Sequence, residues 1–402
     1  MSRKRIVILG AGYAGLGTAM ALERMAHVRR SAHVLLVDRR PYHLLKTELH
    51  AVATGLLPPS RVALPLNLLF KRGGVETLCA EVTAVNADRG FIEAGGETIP
   101  FDVLAAAPGA VINFYNIPGM EPHAETVTEL DPALRVRRRV RELVREARTG
   151  RRSRIIVVGA GAEGVEVAAY LMDRFVQEKL PQDKRPGVTL VEGSGLILAG
   201  GRYTKSIRRR ARRRMEHCGV RVLCGTRVRE AEPGRLAVER GEALDYDLLI
   251  WAGGLLAEPL AAESLPAPTG AARRIAVRDT LALQDQENIF VLGDAALSTY
   301  GAAHRPVPMA AQYAVQQAET VAHNIAALLR GRSRMRAFAP QMRGEFVSIG
   351  NREAVGWIGP VEMLGRDAQV MKQAILARYL LGIGVNPAEW FAGQGAFARH
   401  RD

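Results

Sequence analysis

Two stretches of the chain, RIVILGAGYAG at residues 5–15 and RIIVVGAGAEG at residues 154–164, are near copies of one another. Each is a short apolar run, then glycines at G-x-G-x-x-G spacing, then a helical run rich in small and aliphatic residues. A strand that turns directly into a helix needs its first glycine for the tight turn. The second lets a ligand approach the backbone, and the third lets the helix pack close on the strand. Gly10, Gly12 and Gly15 fill these places in the first copy, and Gly159, Gly161 and Gly164 in the second. A further strand follows in each copy, HVLLVDRR reaching Asp38 and VTLVEG reaching Glu192. An acid at that place accepts hydrogen bonds from a ribose 2′-hydroxyl. One glycine pattern is weak evidence, but chance does not repeat the whole frame, even in a chain with 40 glycines. The predicted fold class is α/β with two Rossmann-like dinucleotide-binding domains, each expected to hold a dinucleotide. Glu192 repels a 2′-phosphate, so the second is expected to prefer NADH to NADPH, with nearby Arg202 acting in the opposite sense.

A third element, ENIFVLGDAA at residues 287–296, is a short apolar strand ending in Gly293 and Asp294. It is similar to the strand with which two-dinucleotide-binding flavoproteins hold the ribityl chain of FAD through an acid, here Asp294. FDVLAAAPGA (101–110, with Gly109) and YDLLIWAGG (246–254, with Gly253) resemble the small-residue strands that close each unit in those enzymes. This resemblance implies a discontinuous FAD domain, residues 1–115 with 280–340. An NADH domain, 116–279, is inserted within it, and residues 341–402 form a C-terminal segment that caps the flavin domain or faces a membrane.

Four stretches narrow the resemblance. They are YHLLKTELHAVATGLLPPSRVALPL after Asp38, GVEVAAYL after the second glycine turn, LIWAGGLLAEPL, and AQYAVQQ at 311–317. Together they resemble the type II NADH:quinone oxidoreductases, single-subunit NADH dehydrogenases that do not pump protons, over roughly residues 3–385. The resemblance implies hydride transfer from NADH to FAD, then two electrons to a quinone. It places the start of the AQYAVQQ helix, at Ala311, beneath the flavin. Gln312 and Gln316, one turn apart, would line the quinone path, and Glu166 would stand near the flavin–nicotinamide contact. An ordinary acid at a helix N-terminus is the other reading of Glu166. Glu163, an acid inside the second glycine turn, departs from the small or hydroxyl residues usual there; lying near the pyrophosphate, it would weaken NADH binding. His43 and Lys46 are expected near the flavin. The helix itself is predicted to start after Pro308 and stop at Gly331. Met309, Tyr313, Val321, Ile325 and Leu328 would face the core, with Glu319 and His323 in solvent.

The same residues argue against related chemistries. Disulfide reductases carry a cysteine pair where this chain has LLKTELHAVATG, and sulfide:quinone oxidoreductases need a cysteine late in the chain. Here Cys79, Cys218 and Cys224 all lie by residue 224. Those readings, and a ferredoxin-reductase-like one, stand only as alternatives of the same fold with another electron acceptor. No disulfide framework and no metal site is expected, and a reducing compartment fits best. The basic, then apolar start mimics a secretory signal, but the glycines at 10, 12, 15 and 17 account for the same letters.

With 55 Lys and Arg against 41 Asp and Glu, the chain carries a formal charge of +14, which suits an acidic partner surface. The arginine-dense runs 135–154 and 202–219 have helical spacing, with Val140, Leu143, Val144, Ile207, Ala211 and Met215 facing inward. Lacking aromatic residues for base stacking, they read as solvated faces or contacts to anionic lipid rather than nucleic-acid binders. A basic flavin-containing redox sensor is the corresponding alternative. No run is long enough to span a membrane. The expected location is cytoplasmic, peripheral on the inner face of the cell membrane. A modestly amphipathic helix at 367–384, with Trp390, Phe391 and Phe397 as interfacial anchors, would make that contact. A homodimer is left open.

Overall fold

The computed structural model describes residues 3–70, 73–332 and 334–393. Two parallel sheets organise it. The first has the strand order Ile289–Val291, Val103–Ala106, Lys4–Leu9, Ala32–Asp38, Glu76–Cys79. The second runs Val220–Cys224, Gly187–Glu192, Arg154–Val158, Leu248–Trp251. Helices cover their faces, so the central strands are apolar on both sides; Ile6, Val7 and Ile8 are wholly buried, as are Ile155 and Val157. The strand just before Gly293 thus joins the first sheet, although the second lies between them in sequence.

The two units repeat down to single hydrogen bonds. The first strand of each is clamped at its start by an acid that accepts from its backbone, Asp102 from Arg5 N and Asp247 from Arg154 N, both at 2.7 Å. Each carries a three-stranded antiparallel flap, Val82–Asn86, Phe91–Ala94, Glu97–Pro100 in one and Val228–Glu232, Arg235–Val238, Leu244–Asp245 in the other. Both flaps have a register shift at the same place, Val82/Ala84 and Val228/Glu230. The antiparallel strands Ala110–Ile112 and Leu255–Ala257 join the units.

The arginine-dense runs are helices, Leu130–Arg148 and Lys205–His217, and all six apolar positions expected to face inward are buried. The AQYAVQQ helix spans Ala311–Leu328 and packs on Tyr13–Arg24 so closely that a methyl at Gly17 would meet the Ala318 methyl at 2.9 Å. Tyr313, Val321 and Ile325 are in the core, with Glu319 and His323 exposed. Met309 departs from expectation. The helix begins only at Ala311, so Met309 precedes it and lines a cavity instead of the core. Leu328 is half-buried, and Gly331 takes the left-handed conformation beyond the helix end.

The C-terminal segment is an antiparallel sheet, Gly344–Ser348, Ala354–Ile358, Val361–Gly365, followed by helices Arg366–Gly382 and Pro387–Ala392. Val370, Ile375 and Leu381 project from the longer helix, 64%, 46% and 64% exposed. Trp390 is not an interfacial anchor. It is buried, donates Nε1–H to the Arg61 carbonyl at 2.8 Å and lies under the Arg61 guanidinium. Phe391 is exposed, and Phe397 lies outside the described residues. Among the described residues no helix is long and apolar enough to cross a membrane.

Candidate functional site

Both glycine turns have the geometry their sequence demands. Gly10 has φ +90°, and a methyl there would meet the Ala107 carbonyl oxygen at 2.2 Å. Gly159 has φ +98° and faces Ala252 in the same way at 2.4 Å. A methyl at Gly15 or Gly164 would strike the carbonyl oxygen of Gly10 or Gly159 at 1.8 Å, so the helix–strand approach tolerates no side chain. Gly12 and Gly161, in contrast, face open space. Each is the N-cap of its helix, Tyr13–Arg24 and Ala162–Gln177, with no side-chain cap, so N–H groups remain for an anion.

The acids are held ready by backbone amides. Asp38 accepts from Ala11 N at 2.6 Å and Arg40 N at 2.8 Å; Glu192 accepts from Ala160 N and Ser194 N, each at 2.7 Å. Arg202 turns away from Glu192, with its guanidinium over the Trp357 ring and Nη1 3.2 Å from Met342 Sδ.

A cavity of about 440 Å³ runs from Asp38 along the first glycine turn, past Gly109, Gly293 and Asp294, to Met309, Ala310 and Ala311. It reaches the second unit through Ala162, Glu163 and Glu166. Gly161, Glu192 and Gly253 do not line it; Gly161 is exposed on the face of the second unit. Lys46 lines the cavity and, with Arg40, pairs Glu129. His43 lies behind the turn, fully buried, its Nδ1 donating to the Ala11 carbonyl at 2.8 Å, so Nε2 accepts from Tyr379 Oη–H at 2.9 Å. Burial pushes its pKa down to about 4, which keeps it neutral.

Glu166 is buried and tied to the C-terminal segment. Oε1 accepts from Ser348 N at 2.9 Å and from Lys372 Nζ, and Oε2 lies 3.4 Å from His50 Nδ1. Burial alone would raise its pKa, but Lys372, His50 and the Ser348 amide together hold it below the ordinary value. Lys372 also donates to Ser348 Oγ at 2.9 Å. Burial acts to lower its pKa, but Glu166 and Glu48 raise it, so the pair is ionised. Two acids nearby behave oppositely. Burial lifts Glu48 to about 7 against the pull of Lys372, and burial with the Glu166 charge lifts Glu163 to about 7. Burial takes His50 down to about 4 despite Glu166.

The glutamine helix divides its amides. Gln316 accepts from Gln341 N at 2.8 Å and donates to the Gln341 and Gln312 carbonyls, each at 3.0 Å, so it fastens the segment leading into the C-terminal sheet. Gln312 is half-buried, and its side-chain amide has no partner among the described residues. Gln317 was missed by sequence reasoning. It is 1% exposed, accepts from Gly293 N at 2.6 Å and donates to Ser298 Oγ at 3.1 Å, fixing the turn that carries Asp294. Its only sequence signal was a third amide, 100° around the helix from Gln316. Lys372, Ser348, Glu48 and Tyr379 were also missed. Lys372, Ser348 and Tyr379 belong to no local motif, and Glu48, although inside the YHLLKTELH stretch, carried no role there.

The arrangement can hold one dinucleotide in a cleft and present its inner end to a second unit built on the same plan. None of the three cysteines lines the cavity, and no metal-binding cluster occurs among the described residues.

Comparison with known proteins agrees. Residues 4–318 match the pyridine nucleotide-disulphide oxidoreductase family. A type II NADH:quinone oxidoreductase of Staphylococcus aureus (strain MSSA476) is 30% identical over 394 residues, 95% of this chain and 96% of that one. Among solved structures, the NDH2 of Plasmodium falciparum in complex with NADH superposes with a TM-score of 0.85 at 19% identity, covering 99% of both chains. The sulfide:quinone oxidoreductase of Aquifex aeolicus superposes at 0.80 and 18% identity, over 97% of this chain and 94% of that one. At such identities the structures show a shared fold.

Proposed function

The chain belongs to the pyridine nucleotide-disulphide oxidoreductase family and, within it, to the type II NADH:quinone oxidoreductases, and from that premise we propose that it binds FAD, which when present takes hydride from NADH and passes two electrons to a quinone. The observation that carries this reading is the cavity that joins the first glycine turn to the N-terminal end of the second unit's helix.

The residues fit the cofactor. Asp38 would hold the adenosine ribose and the N–H groups after Gly12 the diphosphate; Asp294, positioned by Gln317, would hold the ribityl chain. Ala311 opens the helix against the inner end, where its unpaired N–H groups and dipole favour negative charge on the ring system. The second turn, Gly159 to Gly164, with Glu192 and Gly253 would hold NADH, and Glu192 favours NADH over NADPH. Positioning supplies most of the catalysis, since nicotinamide and flavin need close contact and little acid–base help. Gln312, with its free amide, is suited to a quinone carbonyl, and Gln316 to holding the 341 segment beside it. Glu166, ionised and anchored by Lys372, sits where the two units meet.

Residues 1–115 with 280–340 would form the FAD domain, 116–279 the NADH domain and 341–402 the cap. The outward apolar residues of Arg366–Gly382 and the charge of +14 support peripheral attachment to an anionic membrane surface; a cytoplasmic side and the absence of proton pumping come with the proposed family activity. The test is anaerobic. Purified protein should be yellow, bleach on addition of NADH and regain colour with a soluble quinone. A colourless protein that takes up no FAD overturns the reading.

A further inference from the structure

The duplication of the two units assigns a role to a residue outside every motif. In the first unit Asp38 stands opposite Cys79 on the neighbouring strand, and Ala80 N donates to the Asp38 carbonyl at 2.9 Å. In the second Glu192 stands opposite Cys224, and Thr226 N donates to the Glu192 carbonyl, also at 2.9 Å. The chain then enters the bulged flap in both, at Val82 and at Val228. The residue just before each valine is Glu81 in one unit and Arg227 in the other. Glu81 lines the Asp38 end of the first cavity. Its counterpart Arg227 therefore stands at the Glu192 end of the second site.

A second observation agrees. The residue after the acid is Arg39 in the first unit, where it lines the cavity, and Gly193 in the second. Arg227 packs against the bare backbone at Gly193: its Cγ lies 3.4 Å from the position of the missing methyl, in van der Waals contact. Arg227 is exposed, and its guanidinium has no hydrogen-bond or ion-pair partner among the described residues. A planar cation beside a ribose-reading acid suits the face of a purine, by stacking and cation–π attraction.

We propose that Arg227 binds the adenosine end of the dinucleotide in the second unit, its stem along Gly193 and its guanidinium on the adenine. This rests on the reading that the second unit takes NADH. One consequence is that Glu192 alone rejects a 2′-phosphate, since Arg227 beside it would attract one.

The test compares wild type, Arg227→Ala, Glu192→Gln and the double variant as holoenzymes, with flavin content as the check on folding. Substrates are NADH, NADPH and reduced nicotinamide mononucleotide, which lacks the adenosine half; AMP serves as a competitive inhibitor. Arg227→Ala should raise KM for NADH and Ki for AMP about tenfold, while kcat/KM with the mononucleotide moves less than twofold. Glu192→Gln should gain NADPH oxidation about tenfold, and the double variant should lose that gain. The proposal is overturned if KM for NADH and Ki for AMP stay within twofold, if the mononucleotide suffers as much as NADH, or if the NADPH gain survives without Arg227. Wild-type holoenzyme that oxidises none of the three overturns the NADH reading itself, a different result from any of these.

Discussion

Replacing Lys372 by Met removes the only cation, among the described residues, that Glu166 pairs with at hydrogen-bond distance, while keeping the volume of the stem. The Glu166 and Lys372 side chains are only 11% and 18% exposed. Loss of one partner from a buried pair costs about 3–5 kcal/mol, because the other charge stays desolvated and unpaired. The Ser348 amide and His50 soften this, so the lower end is expected near neutral pH. For 402 residues, an unfolding entropy of about 2.1 cal/mol/K per residue makes that lower-end loss ~4 °C in Tm. The sign of the pH dependence follows from the pKa shift. In the wild type the Glu166 pKa is depressed, so its stabilisation is present above the unfolded carboxyl value and fades only in acid. Without Lys372 burial dominates and the folded pKa rises above the unfolded one. Stability is then greatest in acid and falls as pH rises through the new value. Thermal melts at pH 6 and pH 8 should show the larger deficit at pH 8. Adding Glu166→Gln should recover most of it. A deficit independent of pH, with no recovery in the double variant, would refute the assignment of Glu166 and Lys372 as an ionised pair.

Three other outcomes follow from the same geometry. Gln316→Ala frees the Gln341 segment, so stopped-flow reoxidation by quinone should slow about tenfold while bleaching by NADH changes less than twofold; equal slowing of both would sink this role. Gln317→Leu leaves the half-buried Gly293 N–H without its acceptor, a loss of about 1 kcal/mol, and should lower flavin per polypeptide after gel filtration, with normal retention as the contrary result. Replacing Val370 and Leu381 with Ser should reduce sedimentation with anionic vesicles at low salt without reducing activity on a soluble quinone, and unchanged sedimentation would place the membrane contact elsewhere.

The sequence revealed what local geometry compels. A strand-to-helix turn at φ +90° with no room for a methyl admits only glycine, so Gly10 and Gly159, and the acids a strand later, can be read without coordinates. The apolar faces of the arginine-dense helices were legible for the same reason, a 3.6-residue period being a local property. Contacts between remote segments were not. Glu166 and Lys372 are 206 positions apart, and only folding decides that the acid ends against the C-terminal helix. Trp390 illustrates the opposite error. An aromatic near the end of a chain reads as a membrane anchor, but its indole N–H finds the Arg61 carbonyl 329 positions away and draws the ring inward. Gln317 was hidden by its neighbour, because a glutamine pair does not declare which member faces the core.

The two units differ in what covers them. Over the first turn lie Tyr379 of the C-terminal helix, bonded through His43 to the Ala11 carbonyl, and the Lys46–Glu129–Arg40 cluster beside it. Over the second turn Gly161 is exposed, and the C-terminal segment draws Arg202 away from Glu192 instead of capping it. A bound group that persists through many turnovers needs slow escape, which packing over its site favours; one consumed each cycle must leave on the timescale of kcat. Near copies of one turn thus suit a resident cofactor in the first unit and an exchanging substrate in the second. The distinction comes from what packs over each turn, the C-terminal segment and the Lys46–Glu129–Arg40 cluster, and not from the turns themselves. The formal charge of +14 on the whole chain also favours encounter with an anionic dinucleotide. Association of NADH should accordingly slow as salt is raised, whereas retention of the covered cofactor should change less.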